Sequence, residues 1–155
     1  MKLFRLVVLA AVALLPNVTN ANVIVSLQQS GSDLVASFSG SIDLTGASVG
    51  STNTLAFANL DATLNMFKSF NANVTNYTFS TFTGPLSFGT GNALGTYGSG
   101  DSFGFMRDGD DGPQFLVWLP AGYVSGAALT GTATFASQTF SSMGTVSYTH
   151  LRAHE

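Results

Sequence analysis

From Asn22 onward, apolar and polar positions alternate with a period of two. Val23, Val25 and Leu27 fall on one side and Ile24, Ser26 and Gln28 on the other. The turn cluster Ser30-Gly31-Ser32-Asp33 separates this run from a second, 34–44, in which Ala36, Phe38, Ile42 and Leu44 oppose Val35, Ser37, Ser39 and Ser41. Two such runs joined by such a turn predict a β-hairpin. Residues 45–53, all small or polar apart from Val49, read as a loop. Residues 54–70 fit two periods. Leu55, Ala56, Leu60, Leu64 and Phe67 make a helical stripe, while Ala56, Ala58, Leu60, Ala62, Leu64 and Met66 alternate as in a strand. Periodicity does not arbitrate here. The strand-like surroundings favour strand, with a short helix as the alternative.

Residues 73–83 are rich in Thr, Tyr and Phe and read as strand. Seven glycines between Gly84 and Gly104 punctuate short strands at 92–97 and 102–106. A strong turn, 108–113, precedes the apolar run 114–119, which holds the only Trp. Leu129, Gly131, Ala133 and Phe135 then alternate with Thr130, Thr132 and Thr134, the cleanest amphipathic strand in the chain. Short strands with turn signals every 8–12 residues predict an all-β fold. We expect a single antiparallel β-sandwich of jelly-roll or immunoglobulin-like kind over 22–147, preceded by a signal-peptide helix.

That helix is read from residues 1–21. Lys2 and Arg5 precede an unbroken apolar run, 6–15, then Pro16 and a small residue, Ala21, at the cleavage point. Such a run is too short to span a bilayer, which takes about 20 residues. The expected location is therefore outside the inner membrane, at the cell surface or in the extracellular space.

Composition narrows the function classes. Charged residues make up 8% of the 155, and Cys is absent. Disulfide scaffolds, thiolate metal sites and Cys nucleophiles are excluded. From 22 to 149, Lys68 and Arg107 stand against seven Asp, a formal −5. No basic patch exists for nucleic acid or anionic lipid. A hydrophobic content of 45% argues against disorder.

The body contains no His, so a Ser-His-Asp triad is unavailable. The acidic turn Asp108, Asp110 and Asp111 is the one local calcium candidate, but adjacent aspartates and a missing Glu give it poor ligand spacing. A hairpin-forming role suits it better. Asp101 with Asp108 or Asp110 would be the acid–base pair of a small Asp-dependent glycoside hydrolase. Phe67, Phe70, Tyr77, Phe79, Phe82 and Trp118 would form a sugar-stacking platform in a carbohydrate-binding module, if coplanar and exposed on one sheet face. Core filling is the ordinary fate of such residues. No catalytic residue, cofactor or metal is assigned. The segment 148–155 holds both His and the only Glu, and reads as a non-native tail. His150 and His154 are accordingly not taken as ligands.

Several phrases resemble one family. They are Thr83-Gly84-Pro85-Leu86-Ser87-Phe88-Gly89-Thr90-Gly91, Gly98-Ser99-Gly100-Asp101-Ser102-Phe103-Gly104-Phe105, the run from Leu119-Pro120-Ala121-Gly122-Tyr123 to Phe135, and Thr139-Phe140-Ser141-Ser142-Met143-Gly144. Together they resemble exported Gram-negative bacterial proteins that carry a PEP-CTERM sorting signal. The resemblance implies a non-enzymatic protein of the surface or extracellular matrix. Its implied partners are exopolysaccharide or cell-surface components, with the sorting machinery acting on the intact protein. It also implies a further strand pair, a Pro-Glu-Pro tripeptide, an apolar helix and an Arg cluster after Gly144. The sequence shows none of these, so it reads as a fragment, and the strand at 129–135 is expected to lack a partner on one edge.

Overall fold

The computed structural model describes residues 22–80, 86–107, 114–145 and 150–153. Nine strands form among them: β1 (Val23–Ser30), β2 (Asp33–Ser41), β3 (Ser48–Asp61), β4 (Met66–Phe79), β5 (Asn92–Gly100), β6 (Phe103–Arg107), β7 (Phe115–Pro120), β8 (Ala128–Phe135) and β9 (His150–Ala153). All pairings are antiparallel, in the order β6-β7-β4-β3-β5-β8-β2-β1-β9, and β6 also pairs with β4. The expected signal-peptide helix lies outside the described residues. Among the described residues, no helix is long and apolar enough to cross a membrane.

The hairpin predicted at the start of the chain is β1–β2, in register from Val23↔Gly40 to Ser30↔Asp33. Its alternation holds: Val23, Val25, Leu34, Ala36 and Phe38 are buried, while Ser37 and Ser39 face out. The stretch 54–70 adopts neither one helix nor one strand. Residues 54–61 and 66–70 are strand, as favoured, and 62–65 form the turn of a second hairpin, β3–β4, paired from Ser48↔Thr78 to Asp61↔Met66. Asp61 sets the reversal, because its Oδ1 accepts from the amides of Thr63 (2.9 Å) and Leu64 (3.2 Å). Asn65 closes it at φ 47°, a left-handed conformation that Asn tolerates. The loop expected at 45–53 is largely strand, since polar Ser and Thr residues find ladder partners on β4.

The sequence predicts two stacked sheets; the chain instead builds one continuous, strongly curled sheet, a half-barrel. The fold line is β5. Its first half pairs with β3, ending at Ala58↔Gly95, and its second half pairs with β8, starting at Thr96↔Thr134. Gly95 is the pivot: a Cβ there would lie 2.5 Å from the Phe135 ring and 2.6 Å from the Thr134 carbonyl. Curling turns the inner faces of the two halves toward each other. Phe38 of β2 then meets Phe67 of β4 (ring centroids 6.0 Å) and Phe103 of β6 (5.1 Å). Such aromatic pairs add about 0.5–1.5 kcal/mol each beyond their buried area. Ser69 on β4 donates across the same interior to the Thr132 carbonyl on β8 (3.1 Å). Met143, fully buried in the 136–145 connection, closes one end of the core, and its carbonyl accepts from the Thr90 and Gly91 amides (3.0 Å each).

The expected open edge at 129–135 is not formed. β8 is central, bonded to β2 from Leu34↔Phe135 to Ser41↔Ala128 and to β5 on its other side. Local sequence could not show this, because both neighbours of β8 come from strands distant in the chain.

Candidate functional site

Of the carboxylates proposed for chemistry, only Asp101 lies among the described residues, and it has structural work. Asp108, Asp110 and Asp111, the calcium candidate, lie outside the described residues. Asp101, read as half of a hydrolase pair, accepts from the Thr130 amide through Oδ2 (2.9 Å), while its own amide donates to the Thr130 carbonyl (2.8 Å). That reciprocal pair anchors the β5–β6 connection to β8. Asp33 caps the Ser137 amide (2.9 Å). Asp43 accepts from the Thr45 amide and hydroxyl and from Ser125, contacts that hold its carboxyl below the usual carboxylate range. Among the described residues, no three His, Cys, Asp or Glu converge on a point that could hold a metal. His150 contributes backbone to β9, opposite Ser26 of β1, and His154 lies outside the described residues.

Asp61 is the most embedded of these acids. Burial alone would raise its carboxyl, but hydrogen bonds from Thr63 Oγ1, Leu64 N, Asn92 Nδ2 and Thr63 N outweigh it, and the net shift is downward. A depressed folded-state value means stability present above the unfolded pKa and lost as pH falls through the folded one. Acid melting curves should therefore fall below about pH 4. Asp61→Asn keeps one acceptor oxygen and removes the titration. Its melting temperature should drop at pH 7 and vary less than the parent's between about pH 4 and 2. Parallel acid limbs in the two proteins would contradict this role.

The aromatic platform does not assemble. Phe67 points into the core, Tyr77 and Phe79 pack against it, and Phe82 lies outside the described residues. Phe70 is fully buried on the outer face beneath Phe57, edge-on at 82° between planes, and is tilted 58° from Trp118. Lys68 lies over Trp118, its Nζ 4.4 Å from the ring centroid, and partial burial lowers its pKa. These rings are neither coplanar nor freely exposed as a set.

The structure offers a different feature. Four strands bring hydroxyls into a transverse row on the outer face: Ser26 on β1, Ser37 on β2, Thr132 on β8 and Ser99 on β5. Neighbouring strands lie about 4.8 Å apart, so the row repeats at that interval. Ser99 Oγ and Thr132 Oγ1 are linked at 3.1 Å. A second row, Ile24, Ser39 and Thr130, lies two residues along. Together they line a groove of about 290 Å³ with Gly100 and Gly131 in its floor. Gly131 is required there, since a Cβ would come within 2.5 Å of the Phe38 ring and 2.7 Å of the Ser99 carbonyl. Among the described residues, no ionisable side chain lines the groove. Sequence reasoning placed Ser37, Ser39, Thr130 and Thr132 on polar faces, but only the cross-strand register shows that Ser37 shares one row with Thr132 and Ser39 the next with Thr130.

Fold and groove thus define a class: an all-β domain of one curled antiparallel sheet, with a neutral hydroxyl-lined furrow on its outer face. No protein-family model, curated protein or solved structure matches the chain.

Proposed function

We propose that the chain is a non-enzymatic exported protein of the cell surface or extracellular matrix, lying against neutral exopolysaccharide. The finer architecture, in which the two facing halves of the one curled sheet follow jelly-roll or immunoglobulin-like connections, belongs to the same proposal, as does the PEP-CTERM resemblance. The observation that carries it is the groove. Ser and Thr hydroxyls each donate and accept, so a row of them matches a ligand that presents many hydroxyls and no charge. Among the described residues no ionisable side chain lines it, which favours neutral over anionic polymers. Sugar contact would run through hydroxyls rather than through stacked rings. The described aspartates, each held by backbone or hydroxyl donors, support a binding rather than a hydrolytic role.

Affinity electrophoresis tests this. The protein should migrate more slowly in gels containing neutral glucans, galactans or mannans than in plain gels, and normally in alginate gels. The double variant Ser37→Ala, Thr132→Val should lose most of the retardation while keeping the parent's circular dichroism spectrum. Unchanged mobility across the whole neutral panel would sink the proposal, as would retardation by alginate alone.

A further inference from the structure

β3 has one edge that the rest of the sheet does not use. It pairs with β4 along nearly its whole length but with β5 only over residues 58–61, because β5 turns away to β8 at Gly95. From 48 to 57, no strand among the described residues occupies that edge. Natural edge strands are protected by charges, proline, bulges or short length. Residues 48–57 contain no charged residue and no proline. The one device present is a bulge between Val49 and Thr52, which blunts the start of the strand. Residues 52–57, Thr-Asn-Thr-Leu-Ala-Phe, remain regular, uncharged and suited to strand pairing.

A second copy of the same strand fits this edge. Every residue from 48 to 57 is exposed except the half-exposed Leu55, on both faces of the ribbon. The strand therefore stands clear of the body, and two molecules can approach edge to edge without collision. Antiparallel self-pairing about a two-fold axis at Thr54 places Asn53 opposite Leu55 and Thr52 opposite Ala56. No like charges meet. A contact of this kind is isologous and closes as a dimer.

We propose that residues 52–56 of β3 pair antiparallel with the same segment of a second copy, joining two curled sheets into one. The surface is distinct from the groove, and the inference does not depend on the function proposed for it. Light scattering of the exported chain between roughly 1 and 500 μM should show a monomer–dimer equilibrium. The double variant Asn53→Lys, Ala56→Lys puts like charges on both faces of the pairing edge and should weaken association by roughly tenfold or more. Lysines at Ser30, the last residue of β1, and at Ala136, in the turn after β8, should leave it unchanged. Amide exchange in the parent should slow within 52–56 as concentration rises, a readout that holds even if the edge variant misfolds. A parent that stays monomeric throughout, an edge variant that dimerises as tightly as the parent, or concentration-independent exchange at 52–56 would overturn the proposal.

Discussion

Phe67→Ala should cost about 3–5 kcal/mol, the range for emptying a large aromatic site in a close-packed core. Phe67 is fully buried, and its ring meets Phe38, Phe103 and Phe105 at centroid distances of 6.0, 6.4 and 6.2 Å. Its contact with Phe38 joins β4 to β2 on the opposite half of the curled sheet. Truncation therefore loses transfer energy and leaves a cavity where the two halves meet. No disulfide shares the load, since the chain has no cysteine. Domains of this size are stable by about 5–15 kcal/mol in total, so the variant should be close to unfolding at physiological temperature. Urea denaturation followed by tyrosine and tryptophan fluorescence measures the effect. A loss under about 1 kcal/mol would mean that the two halves are not packed through this ring.

Gly95→Val should cost about 3 kcal/mol, at the upper end of overpacking penalties. The reason differs from that for Phe67. Gly95 is where β5 leaves β3 for β8, and the site has no room for a side chain: a Cβ meets the Phe135 ring at 2.5 Å and the Thr134 carbonyl at 2.6 Å. Phe135 is itself fully buried, so its ring cannot swing into solvent without losing its own core contacts. Relief requires the halves to separate at the fold line. Gly95→Ala should show the same direction with a smaller loss. A Gly95→Val protein that melts within a degree or two of the parent would show that the fold line gives freely at this point.

How far each element was legible follows from how local its causes are. The β1–β2 hairpin was readable because its strands adjoin in sequence and one face is buried, so a period of two carries through from Val23 to Phe38. The amphipathic strand at 129–135 was readable for the same reason. In the 54–70 stretch strand was favoured but the turn at 62–65 was not legible, because Asp61 and Asn65 look like ordinary polar residues until their hydrogen bonds and left-handed turn are seen. The aromatic platform failed because alternation tells which residues share a strand face, but not the angle at which their rings meet. The calcium candidate at Asp108, Asp110 and Asp111 lies outside the described residues.

The sequence by itself determined the all-β class, the antiparallel hairpins, the inward side of most strands and the sparsely charged, mildly acidic character of the chain. These depend on side-chain period and composition, which neighbouring residues set. Only the tertiary structure decided that one sheet curls at Gly95 instead of two sheets stacking. It also decided that β8 is central while the first ten residues of β3 are left at an edge, and that Ser26, Ser37, Thr132 and Ser99 form one row. Each of these is a matter of register between strands far apart in the chain. Register is fixed by which buried faces pack together, and no local stretch of sequence carries that information.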